Sequence, residues 1–133
     1  MVTGRSIVAG RPGDVTIEYN GRTGKPVWVR HFKALDNFSF NPVAMVLGPL
    51  AAIGYIAGDT GLPSHEQGYG TVAFFLGTGS VVWRGHYAGP AGGKSHVLGV
   101  AIGPQTGGTL YETGASDNGD GVSDFATIAF VAR

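Results

Sequence analysis

The chain has 133 residues, of which 24 are glycine and none is cysteine, and nine basic against nine acidic side chains leave a formal net charge of zero. That length suits one domain spanning 1–133, while the missing cysteines exclude a disulfide framework and any thiolate metal site. The charge balance excludes binding driven mainly by phosphate neutralisation, so no nucleic-acid partner is expected, and a surface with only 14% charged residues favours association: a homo-oligomer, a partner or a membrane.

Residues 1–13 lack the apolar core of a secretory signal. Residues 14–20 alternate, so Val15, Ile17 and Tyr19 are expected to face inwards and Thr16, Glu18 and Asn20 outwards. Gly21-Arg-Thr-Gly24 reads as a turn, and residues 26–32 return with Trp28, Arg30 and Phe32 on one face and Val27, Val29 and His31 on the other. A loop over residues 34–42 ends before Pro42. The longest apolar run, 43–57, is too short for a membrane span and contains Gly48, Pro49 and Gly54; it reads as two buried strands joined at Gly48-Pro49. With neither signal nor span, the expected setting is non-classical secretion or a particle.

Residues 70–76 and 80–87 flank Gly77-Thr-Gly79, a three-residue glycine loop that predicts a β-hairpin. Residues 97–102 and 125–131 are apolar on both faces, as interior strands of a two-layer structure would be. Short strands between frequent turns predict an all-β fold, an antiparallel β-sandwich, with Trp28 and Phe74 in its core.

The segment from Trp83 to His96 is rich in glycine and bordered by Trp83, Arg84, His86 and Tyr87. Amphipathic rings beside such a loop suit a ligand that is apolar on one side and wet on the other, with Tyr111 as a further ring; Tyr55 and Tyr69 are less certain members of the set. Arg84 and Lys94 supply cations for phosphate or carboxylate. The four histidines, His31, His65, His86 and His96, are scattered; a hydrolytic site from His86, His96 and Glu66 ranks last, below ordinary surface hydrogen bonding. No nucleophile elbow or dinucleotide loop is present, so no enzyme is expected. Asn118-x-Asp120-Gly121-x-x-Asp124 resembles the middle of a calcium loop. Yet Ser116 stands where Asp would, and Thr127 where the closing Glu would. A polar turn explains those residues better, with no cofactor.

The order of motifs resembles one known group. Asn20-Gly-Arg-Thr-Gly-Lys25 before Trp28, Pro42-Val-x-x-x-x-Gly48 leading to Tyr55, residues 70–83, Lys94-Ser-His96 with Val100, and Leu110-Tyr111-Glu112 are similar to the actinoporin-like cytolysins. Fungal fruit-body lectins share that sandwich, and aegerolysins have a similar one. The resemblance implies a β-sandwich that binds membrane lipid headgroups or glycans, with Tyr111 at a headgroup-contacting position and Val72 near a hydrophobic contact. Gly85-His-Tyr-Ala88 departs from the group's Ser-x-Pro-Tyr element, and residues 1–13 are too short and glycine-rich for its pore-forming segment. The leading expectation is therefore a non-enzymatic lipid- or glycan-binding module using Trp83, Arg84, His86, Tyr87 and Tyr111. The alternative is a self-assembling structural protein, such as a viral capsid-decorating or tail component, built from charge-poor β edges.

Overall fold

The computed structural model describes residues 1–8, 10–34, 38–49, 52–61, 67–90, 94–104 and 108–131. Ten strands follow in order: β1 (Val2–Val8), β2 (Arg11–Tyr19), β3 (Pro26–Arg30), β4 (Phe40–Leu47), β5 (Ile53–Gly61), β6 (Gln67–Phe75), β7 (Val81–Tyr87), β8 (Ser95–Ile102), β9 (Thr109–Asp117) and β10 (Ser123–Val131). They pair antiparallel in three sheets ordered β1-β2-β3, β4-β5-β6-β7 and β8-β9-β10, so hydrogen-bonded neighbours are also neighbours in sequence. The all-β sandwich is therefore observed, with one layer more than the sequence suggested. No helix among the described residues is long and apolar enough to cross a membrane.

The turns form where the sequence places them. Asn20 Oδ1 accepts from the amides of Arg22 and Thr23 at 3.0 Å each, and Gly24 takes φ 68° to close the loop. At the central hairpin, the Gly79 amide donates to the Phe75 carbonyl at 2.8 Å with Gly79 at φ 67°, a conformation that glycine adopts without a Cβ penalty.

The four-stranded sheet is the middle layer. One face of it offers Phe40, Ile56, Val72 and Phe74 to Trp28, Phe32 and Ala34, beneath the first sheet. The other face offers Tyr55, Ala57, Tyr69 and Ala73 to Val97, Leu110, Ile128 and Phe130 of the third sheet. Strand β6 is consequently buried at seven successive positions, Gly68 to Phe74, with no alternation. Side chains pin the layers as well: Trp28 Nε1 donates to the Leu76 carbonyl at 2.9 Å, and the Val97 amide donates to Asp59 Oδ1 at 2.9 Å.

Two expectations are corrected. The interior strands are β5 and β6, whereas residues 97–102 and 125–131 lie in the outer third sheet, with Leu98 71% and Phe125 75% exposed. In β2 the facing is inverted: Asp14 and Thr16 are buried, while Val15 and Ile17 are only half-buried and Tyr19 is exposed. Asp14 explains the inversion. Its Oδ1 accepts the Phe32 amide and its Oδ2 accepts the Thr16 hydroxyl at 3.1 Å, so the polar face closes over its own hydrogen bonds.

Close layering depends on absent side chains. A Cβ on Gly70 would lie 2.6 Å from Ala34 Cβ and 2.9 Å from Thr60 Cβ, inside the interface of the first and middle sheets. Gly70→Ala is expected to cost about 1–3 kcal/mol by overpacking. Gly4→Ala, which meets nothing within 4 Å, should be close to neutral; urea midpoints of the two variants against the parent check this contrast.

Candidate functional site

Strand β7 is an edge of the middle sheet, and its alternation decides what the aromatic segment can do. Trp83 turns inwards, its ring 6.2 Å from Tyr55 and 5.7 Å from Phe130. Tyr87 also turns inwards, 5.4 Å from Tyr69. Gly85 lies between them, where a Cβ would come within 2.8 Å of Phe130, so that ring rests on the β7 backbone. Tyr111 sits elsewhere, on the exposed face of β9. The expected single surface of Trp83, Tyr87 and Tyr111 is therefore corrected: two of the rings pack between layers and the third faces solvent on the far side of the third sheet. Val72 is fully buried under the first sheet and offers no surface contact.

Where β7 meets the end of β10, an open groove of about 520 Å³ remains. Val82, Trp83, Phe130 and Val131 give it apolar walls, and Arg84 and His86 are its polar members. Its volume lies within the usual range for ligand clefts.

The remaining candidate residues do not converge. His96 Nδ1 lies 3.1 Å from Asp59 Oδ2, across the junction of the middle and third sheets, while His65 and Glu66 fall outside the described residues. The loop 117–124 is a run of Asx turns. Asp117 Oδ1 accepts the Gly119 amide at 2.9 Å, Asn118 Oδ1 the Asp120 amide at 3.3 Å, and Asp120 Oδ1 the Val122 amide at 2.9 Å. Asn118 Nδ2 donates to Asp124 Oδ2 at 3.2 Å. Those oxygens are thus turned to the backbone, and no group of three or more metal-ligating side chains occurs among the described residues.

Two features were missed by reading the sequence. The first is a set of polar groups inside the sandwich. Glu112 is fully buried between β6 and β9; its Oε1 accepts the Thr71 hydroxyl, and its Oε2 has no partner among the described residues. Burial raises its pKa to about 7, against which the Thr71 hydrogen bond works only in part. Burial likewise raises Asp14 to about 6, opposed by the Phe32 amide and the Thr16 hydroxyl. Tyr69, whose hydroxyl donates to the Ala115 carbonyl at 3.2 Å, is pushed up to about 12, first by burial and then by Tyr87, Glu112 and Asp59.

The second is a pair of apolar exteriors. On the outside of the first sheet, Val2, Ile17 and Val29 form one row across three strands, with Val15, Tyr19 and Val27 beside them. On the outside of the third sheet stand Leu98, Ala101, Tyr111, Phe125, Ala129 and Val131, with Thr109 and a hydrogen-bonded Thr113–Thr127 pair (3.0 Å) among them. Apart from Tyr111, its titratable members are His96 and Asp117, which both lie at the end near the β9–β10 turn. The signal was present in residues 97–102 and 125–131: apolar on both faces marks either an interior strand or an outer one whose second face has a partner.

The buried carboxyls dictate a pH response. A folded-state pKa above the unfolded value means that the folded chain binds the extra proton, so stability falls as pH rises from about 4 to 7 and then levels off. The unfolding free energy from urea titration should therefore be higher at pH 5 than at pH 8, by about 1–3 kcal/mol per carboxyl. Glu112→Gln should remove the larger share of that slope. No protein-family model, curated protein or solved structure matches this chain.

Proposed function

We propose that this chain is a non-enzymatic structural protein that self-assembles through the outer faces of its first and third sheets. The observation that supports this reading is the pair of exteriors on opposite sides of the middle sheet whose large exposed side chains are apolar, with His96 and Asp117 confined to one end of the third, while carboxylates and hydroxyls are buried within. Monomeric proteins rarely leave contiguous apolar patches of more than a few hundred Å² in water. At about 3.3 Å per residue and 4.8 Å per strand, the first sheet's face (strands of 7, 9 and 5 residues) covers about 330 Å² and the third's (8, 9 and 9) about 400 Å². A stable contact needs about 800 Å² from each partner, so a copy held at one face alone is weakly held and one held at both is not. Two opposed faces therefore favour a ring or filament over an isolated dimer. Zero net charge removes the long-range repulsion that would oppose such packing.

Exposed Tyr111 beside Leu98, Phe125 and Val131 lends some support to a second reading, in which the third sheet rests on a membrane lipid surface. Sedimentation velocity and vesicle flotation separate the two. The parent chain should sediment as species larger than a dimer and fail to float with neutral or anionic vesicles; a strict monomer that floats overturns the assembly reading. Val29→Lys and Phe125→Lys each place a charge on one exposed face, where the effect on folding is small. If the first sheet's face packs against the third sheet's face of the next copy, either substitution alone should abolish all face-to-face contact. If like faces pack together, each should remove only one of the two face contacts.

A further inference from the structure

We propose that the groove between β7 and β10 receives the β9–β10 turn of a second copy, joining molecules end to end; this specifies one contact of the assembly and rests on that reading. The argument begins with strand β10, which carries both halves of the contact. Its last residues, Phe130 and Val131, wall the groove, and the turn that precedes its first residue, Ser123, carries the acidic cluster. Nine residues of extended chain separate the two by about 26 Å, so a molecule cannot fill its own groove.

The two ends are complementary in charge. Asp117, Asp120 and Asp124 fall within eight residues, and they are a third of the chain's nine acidic side chains. At the other end Arg84 and His86 border the groove, with no acidic residue in its lining. Among the described residues the sole ion-pair contact joins His96 to Asp59, and neither Arg84 nor the three aspartates pair with another described charge. The formal charge of zero thus covers an uneven distribution along β10.

Shape and order agree with charge. Val122 stands exposed in the acidic turn and provides an apolar group for walls made by Val82, Trp83 and Phe130. The Asx turns already fix the loop, with Gly119 at φ 95° and Gly121 at φ 82°, so docking orders little additional chain. Because the groove and the turn are different surfaces, the contact is heterologous: it propagates into a filament or closes into a ring.

Charge reversal with complementation tests this. Arg84→Glu and Asp120→Lys both alter exposed positions, and near-UV circular dichroism verifies that each variant keeps its packing. Sedimentation velocity should show the association constant of each variant alone reduced about tenfold or more, and an equimolar mixture of the two recovering a substantial part of it. Raised salt should weaken the parent's association and leave the Arg84→Glu variant little changed. Variants that assemble like the parent would overturn the contact while leaving face-to-face packing intact. Loss in Arg84→Glu without recovery in the mixture would overturn the second copy's turn as occupant and assign the groove to another anion. A parent chain that stays monomeric at every concentration would overturn both this contact and the assembly reading.

Discussion

Burial of the middle sheet on both faces is the constraint from which the rest of the molecule follows. A four-stranded sheet with Ile56, Val72 and Phe74 on one side and Tyr55, Tyr69 and Ala73 on the other must be covered twice. The chain supplies one three-stranded cover before it and another after it. On the face toward the first sheet, Gly70 leaves room for Ala34, while Gly54 and Gly58 leave room for the Phe74 ring and the Asn41 backbone of the middle sheet itself. Directional bonds then set the covers in place: Trp28 to the Leu76 carbonyl on one side, Tyr69 and Asp59 to the third sheet on the other.

Beside the apolar core, several side chains are sorted against the usual rule. Asp14, Thr16, Thr71, Glu112, Ser95 and Ser116 are buried, whereas valine, leucine and phenylalanine stand on the outside of both covers. Interior polar groups restrict how the layers can slide, since Thr71–Glu112 joins defined atoms of the middle and third sheets, while Ser95–Ser116 ties β8 to β9 within the third. Glu112 accepts that role at the expense of holding a proton near neutrality. The exterior faces are the counterpart of the buried polar groups: in a charge-poor chain, apolar residues that the interior does not use are left for contacts between molecules.

Much of this architecture was legible in the sequence, and the failures are instructive. The hairpin at Gly77–Gly79, the turn at Asn20–Gly24 and the core placement of Trp28 and Phe74 follow from turn chemistry and pattern. Alternation in β2 was legible, but not which set of residues faces inwards. Periodicity fixes the two sets, and only the Asp14–Phe32 bond, eighteen residues apart, selects between them. Strand β9 was concealed because its inward positions include Glu112, Gly114 and Ser116, which carry no apolar signal. Trp83 and Tyr87 looked like the rim of a loop because glycine surrounds them; Gly85 instead lets Phe130 lie against β7 and draws both rings inwards.

The strand order also bears on how the protein is made. Each sheet is a run of consecutive strands, so the first two sheets can pair and stack as soon as β7 has left the ribosome. At that stage Tyr55, Ala57, Tyr69 and Ala73 are still bare, and they remain so until β8, β9 and β10 are synthesised. A nascent chain paused there presents a sheet face with free edges, the kind of surface that recruits other chains. Synthesis of residues 95–131 is therefore an interval in which the middle sheet is exposed to premature association.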